Sequence, residues 1–237
     1  MNEDWRIVIS FRKLSPKSSA DPDITADLFP EEEEKPICPR KVTLIAGDSV
    51  SYDLDPMKLG RNGRKNVINL SQGGATIKDV EQQLDSFYLS EEFSTNAIHV
   101  EKVIVCVGTN DIRPFDKGGV RKLKSPLIRL ARHVQLLYPS ANVWFQNLVP
   151  LPFQHKFTFK NVEDFNKVLY EACTYTKCYV LNVFEQFLTF NPHIGYFRRK
   201  ESLFKDLKNI HLNRVGVSIL ARNYLRIIYN SFNPLGY

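Results

Sequence analysis

No stretch of the chain approaches the run of about 18 consecutive apolar residues that a membrane-spanning helix requires. Cysteine is sparse: Cys38, Cys106, Cys173 and Cys178 show no paired spacing of the kind that chelates zinc, and Cys106 falls inside an apolar, strand-like segment where an unreactive buried thiol is expected. A chain of 237 residues buries enough surface to do without a disulfide scaffold. The opening MNEDWRIVISFRK has only a short apolar run broken by charges, unlike a signal peptide. Together these absences lead us to expect an intracellular protein, cytoplasmic or nuclear, in a reducing compartment. No internal repeat is visible, and the composition, 43% hydrophobic and 24% charged, excludes collagen, a coiled coil and a wholly disordered chain.

The charge is unevenly placed. Residues 1–40 contain six basic and nine acidic residues, including the run Glu31 to Glu34, and prolines at 16, 22, 30, 36 and 39. The remainder carries 26 basic against 17 acidic residues. We therefore expect a flexible, acidic, Pro-rich segment over 1–40, in which Trp5 to Phe11 is a candidate edge strand or docking segment, and a basic domain over 41–237. A basic surface attracts phosphates, nucleic acid or acidic membranes, although many soluble domains carry such a surplus with no anionic partner. The stretches Arg121–Lys124 and Arg198–Lys200, the latter next to Tyr196 and Phe197, are the candidate contacts.

Beyond residue 40, strand and helix patterns alternate. Apolar runs at Val42–Ala46, Asn66–Leu70, Val100–Val107, Asn142–Val149 and Cys178–Val183 read as five strands. Between them, helical spacing recurs from about Thr76, over 119–138 despite Pro126, over Val162–Thr176 and over Val215–Tyr229. Thr76 and Asp79 form a capping-box pattern. Such alternation predicts a three-layer α/β/α sandwich around a parallel five-stranded sheet, with its site at the carboxyl ends of the strands.

At those ends stand the residues that carry chemistry. Gly47-Asp48-Ser49 follows the first strand, Gly73-Gly74 the second and Gly108-Thr109-Asn110-Asp111 the third, while His211 precedes the last helix. A serine hydroxyl is a weak nucleophile until a neighbouring imidazole takes its proton, and charge developing on a substrate oxygen needs donors already in place. Four blocks in this order resemble the SGNH hydrolase superfamily, the GDSL-type esterases and lipases, over about residues 41–229. The resemblance implies that fold, in its flavodoxin-like form, and an ester hydrolase that needs no metal or organic cofactor. Ser49 corresponds to the nucleophile and His211 to the general base. The backbone N–H groups of Ser49 and Gly74 and the side-chain amide of Asn110 correspond to the oxyanion hole. A small ester or acylated molecule is the implied substrate.

The chain departs from the family at one place. Lys208 occupies the position, three before the histidine, where the family usually has an aspartate. Asp206 lies two positions too early, so it takes the acid role only if the loop bulges by two residues. A backbone carbonyl that orients His211, leaving a Ser–His dyad, and a fold retained without activity are the other arrangements. Similar GDS…GTND domains occur in proteins encoded by non-LTR retrotransposons, which makes a catalytically weakened, nucleic-acid-binding or protein-binding domain the competing expectation. Asp48 and Asp111 read as residues that fix their loops. His99, His133, His155 and His193 have no spacing that would make them ligands, and Phe153 to Lys160 is an aromatic segment suited to a pocket wall or to plain packing.

Overall fold

In a computed structural model the described residues are 39–60, 66–95, 97–112, 119–151, 158–193, 196–206 and 210–229. Residues 1–38 of the expected flexible segment, with Trp5–Phe11 and Cys38, lie outside them, as do Phe153–Phe157, including His155, and Lys208; Arg40, at the end of that segment, already belongs to the first strand. Five strands, β1 (Arg40–Gly47), β2 (Val67–Asn69), β3 (Ile98–Cys106), β4 (Asn142–Gln146) and β5 (Tyr179–Leu181), form one parallel sheet in the order β2-β1-β3-β4-β5. Each strand starts or stops within a few residues of the apolar run that predicts it.

Alternation along the strands splits the core. Leu44, Ala46, Val103, Val105 and Phe145 face one layer, built by α3 (Ile77–Tyr88), α5 (Lys124–Leu137) and α6 (Thr158–Thr176). Ile45, Ile104 and Cys106 face the other, built by the short α1 (Ser49–Tyr52) and α2 (Pro56–Leu59) and by α7 (Arg214–Tyr229). A one-turn helix, α4 (Glu91–Thr95), leads into β3. Strands β1 and β3 are buried on both faces, which explains their near-continuous apolar character. Pro126 falls in the first turn of α5, where no N–H is needed for the helix ladder. The Thr76/Asp79 capping box is present in both directions. On the far side, Lys102 of β3 donates to the Ile228 carbonyl in the last turn of α7 (2.8 Å).

One element differs from the sequence reading, which passes from β5 directly to α7. The structure inserts an antiparallel hairpin, β6 (Leu188–Asn191) and β7 (Tyr196–Arg199), between 3-10 turns at Phe184–Phe187 and Glu201–Leu203. Its strands are short, and a charged residue, Arg199, occupies an inward position, so the usual alternation of apolar and polar residues is hidden.

Candidate active site

The sheet order reverses direction between β1 and β3, and the turns that follow these two strands meet at that switch point. Gly47 pairs with Cys106 in the sheet, and Asp48 N–H donates to the Cys106 carbonyl (2.9 Å). A Cβ at Gly47 would collide with that carbonyl and with Ser51 Oγ, which is why only glycine fits. The chain then turns into α1. Asp48 caps it, accepting from Val50 N–H (2.9 Å), and half-buried Ser49 is its first residue. Asp48 thus does the local work expected of it.

The second loop is laced to the first. Gln72 N–H donates to the Gly47 carbonyl (3.0 Å), Ser51 Oγ lies 2.8 Å from Ser71 Oγ, and Asn69 Nδ2 donates to the carbonyls of Ser51 (3.0 Å) and Leu54 (2.9 Å). Of the two glycines in this loop, Gly74 alone has positive φ, at 81°. This is a backbone requirement, independent of the family pattern, for glycine there. A cleft of about 710 Å³ opens beside it, between this loop and the face of α3 that carries Asp79, Gln82, Gln83 and Ser86. Ser49, Asn110 and His211 do not line that cleft, which flanks the site on its β2 side.

The third loop joins both. Gly108, with φ 123°, lies against the Phe165 ring, and its carbonyl accepts from Asp111 (3.1 Å) and Ile112 (3.0 Å) N–H. Asn110 Nδ2 donates to the Ala75 carbonyl at 2.9 Å, which fixes the amide plane and leaves it a second N–H. Asp111 accepts from Ile77 N–H at the start of α3 (3.1 and 3.2 Å) and so fixes the loop. Burial raises its carboxyl above the ordinary aspartate range, against the lowering effect of that N–H. In the first turn of α3, by contrast, the hydrogen bonds from Thr76 hold Asp79 below it.

His211 arrives from elsewhere. It is half-buried, just after an excursion closed by the Phe204–Leu212 bridge and by Lys205 N–H donating to the His211 carbonyl (3.0 Å). Asn213 Oδ1 caps α7 through Val215 (2.9 Å) and Gly216 (3.1 Å) N–H, and its amide donates to the Ser202 (2.8 Å) and Phe204 (3.0 Å) carbonyls. Lys205 Nζ reaches Asp53 at the end of α1 (3.3 Å). Val50 and Leu212, the neighbours of Ser49 and His211, belong to the same buried apolar cluster. Asp206 is exposed, and its carbonyl accepts from Arg199 Nη2 (2.9 Å).

Beneath the turn that carries Ser49 lies a buried polar group. The Cys106 thiol approaches Asp48 Oδ1 at 4.0 Å, and Tyr224 donates to Gln146 (2.7 Å). Burial, reinforced by the Asp48 charge, pushes the thiol well above its usual range, so Cys106 is inert as expected. Two residues that the sequence reading missed hold the site. Gln83 of α3 accepts from Gly47 N–H (3.1 Å) and donates to its carbonyl (3.2 Å), and Arg199 braces the histidine excursion. The signal for Gln83 is its position on the apolar stripe of α3, between Val80 and Phe87, where a polar side chain needs a buried partner.

The remaining candidates are placed as follows. His133 pairs with Asp85 across α5 and α3 (2.7 Å), His99 lies on β3 and His193 in an exposed turn. Lys124 pairs with Glu171 (2.6 Å). Arg198 and Lys200 are exposed near Phe190 and Phe197, whose rings meet edge to face at 5.4 Å. Among the described residues no three His, Cys, Asp or Glu side chains cluster as metal ligands, and no helix is long and apolar enough to cross a membrane.

Comparison with known proteins agrees with this geometry. The sequence model of the GDSL-like lipase/acylhydrolase family matches residues 47–219. The fold is similar to that of a lipase/acylhydrolase from Enterococcus faecalis (TM-score 0.57, 16% identity, covering 79% of this chain and 94% of that one). It is also similar to an acetyl xylan esterase (0.59, 15%, 79% and 98%) and to a GDSL-like lipase from Bacteroides thetaiotaomicron (0.59, 12%, 79% and 87%). No curated protein sequence matches the chain.

Proposed function

Because the chain belongs to the GDSL-like lipase/acylhydrolase family, we propose that it is a carboxylic ester hydrolase working by acyl transfer through Ser49. His211 takes the Ser49 proton as the hydroxyl attacks the ester carbonyl, then gives it to the leaving alcohol. The oxyanion is met by the N–H groups of Ser49 and Gly74 and by the second N–H of the Asn110 amide. Water, activated by the same histidine, releases the acid. Asp206 is the carboxylate we assign as the acid of the triad, the residue that would orient the His211 ring. No metal or organic cofactor takes part in these steps.

The observation that carries this reading is the lacing of three separate loops at the switch point: Gln72 to Gly47, Asn110 to Ala75 and Asp48 to Cys106. That lacing fixes the donors before substrate arrives, which is where most of the rate acceleration in such sites originates. Ser49→Ala removes only the hydroxyl. We expect it to lower hydrolysis of a short p-nitrophenyl ester by roughly 10⁴-fold or more, with an unchanged Tm. Turnover equal to that of the parent chain would refute the assignment.

A further inference from the structure

We infer that Arg199 is a positioning residue for the general base, holding the segment that delivers His211; the inference rests on the ester-hydrolase reading above. Arg199 is 1% exposed, with its guanidinium wholly buried, so it cannot touch substrate. Its contacts include three on the excursion that ends at His211. Nε and Nη2 donate to Glu201 Oε2 (2.9 and 2.6 Å), Nη2 donates to the Asp206 carbonyl (2.9 Å), and the guanidinium lies 3.9 Å from the centre of the Phe204 ring.

These three holds restrain the outgoing limb of a closed loop. Phe204 is bridged to Leu212, and Lys205 N–H is bonded to the His211 carbonyl, so the position of residues 204–206 sets the position of the imidazole's backbone. The base of hairpin β6–β7 is closed by Lys200 N–H donating to the Phe187 carbonyl (2.8 Å), and the Phe187 side chain is buried in the core beside α7. Arg199 thus joins a core-anchored hairpin to the limb that leads to His211.

The choice of residue fits this task better than simple packing. Burying a cation is expensive, and an apolar side chain of similar volume often stabilises a core equally well. A guanidinium, however, stacks on an aromatic ring through its face while it donates in its own plane. That combination clamps a ring, a carboxylate and a backbone carbonyl at once. A lysine ammonium at the same place keeps the charge and loses the planar clamp.

The test uses the full chain and a short p-nitrophenyl ester, comparing Arg199→Lys with Glu201→Gln. Arg199→Lys is expected to lower kcat by about 10²-fold, the loss typical of a reacting group displaced by an ångström, with KM changed by less than about threefold. The pH profile of kcat/KM should shift with it, and phosphonylation of Ser49 by a fluorophosphonate should slow in parallel. Glu201→Gln removes the charge of the ion pair but keeps a side-chain oxygen to accept from Nε and Nη2, as well as the stack and the Asp206 bond, so the clamp persists: its Tm falls while kcat stays within about threefold of the parent. Should Arg199→Lys fail to fold, Phe204→Leu removes the stack, together with the ring's edge contact to Phe187 (6.0 Å), and is expected to reproduce the kcat loss. An unaltered kcat and pH profile in Arg199→Lys overturns the inference, as does a kcat that merely follows Tm in both variants. A parent chain without Ser49-dependent turnover overturns the hydrolase reading and this inference together. An active parent indifferent to Arg199 overturns the positioning role alone.

Discussion

The two halves of the candidate site are held by different means. On the oxyanion side, Ser49, Gly74 and Asn110 stand on turns that leave the carboxyl ends of three neighbouring strands, and backbone hydrogen bonds of the sheet run directly into those turns. On the histidine side, the imidazole sits at the end of an excursion outside the sheet, tied down by an arginine, an asparagine amide and one two-residue bridge. The first half continues the main chain of the sheet, and side chains such as Asn69, Gln83 and Asn110 bond to its backbone groups, so its geometry follows from the fold. The second depends on individual side chains, and one substitution can move it without disturbing the sheet. Loss of stability and loss of turnover should therefore separate: damage to the strand ends costs both, whereas loss of the Arg199 clamp costs chiefly turnover.

Gly108→Ala should break the first half most severely. The residue has φ 123°, which alanine rarely adopts, and a Cβ there would enter the Phe165 ring. Strain and overpacking together are expected to cost roughly 3 kcal/mol or more, read as a fall in the urea midpoint at unchanged m. If Gly108→Ala unfolds like the parent, the strand-end half is looser than its hydrogen bonds indicate.

Gln83→Leu is a milder cut on the same side. It keeps the apolar contacts of α3 but leaves Gly47 N–H without its buried acceptor, while the Gly47 carbonyl still receives Gln72 N–H. We expect a loss of about 1–3 kcal/mol in urea unfolding. A fall in kcat of about tenfold should accompany it, because the turn that carries Ser49 is loosened. Stability lost with turnover fully kept would show that Gly47 is fixed by the sheet alone.

The same contrast explains what the sequence could reveal. Strands β1 and β3 are covered on both faces, so their apolar runs and the glycine-bearing turns after them were visible from residue order, as was the Thr76/Asp79 cap. Hairpin β6–β7 was not visible, because its strands are four residues each and Arg199, which reads as surface charge, is buried by a stack and an ion pair that depend on the fold. Gln83 was hidden for a related reason: a helix stripe tolerates one polar member when its partner is a backbone group 36 residues away. The resemblance could name Asp206 and His211 as candidates, but not the brace between them and the body. Local pattern reports main-chain architecture; it says little about a loop whose position is decided by long-range side-chain contacts.

The smallest effect we predict concerns pH, and it lies within the oxyanion half. Asp79 and Asp111 both accept N–H groups at the start of α3, yet their carboxyls are shifted in opposite directions. Asp79, held low by Thr76, adds stability that is complete above its unfolded value and is lost as pH falls through the lower folded one. Asp111, raised by burial, binds its proton more tightly in the fold, so it removes stability as pH rises from its unfolded value through the folded one. The two slopes have opposite signs and partly cancel over the acid range. Asp79→Asn should cost about 0.5–1 kcal/mol at neutral pH, the loss of a cap interaction, and little at low pH. Asp111→Asn keeps an acceptor for Ile77 N–H and removes a buried charge. It should leave stability within about 1 kcal/mol of the parent at neutral pH, and make the acid-range profile steeper because only the Asp79 slope remains. Urea midpoints for both variants between pH 3 and 7 measure the two slopes separately. Profiles of the same sign would mean that the loop after β3 is more open to water than its contacts with α3 imply, and would narrow the difference between the two halves.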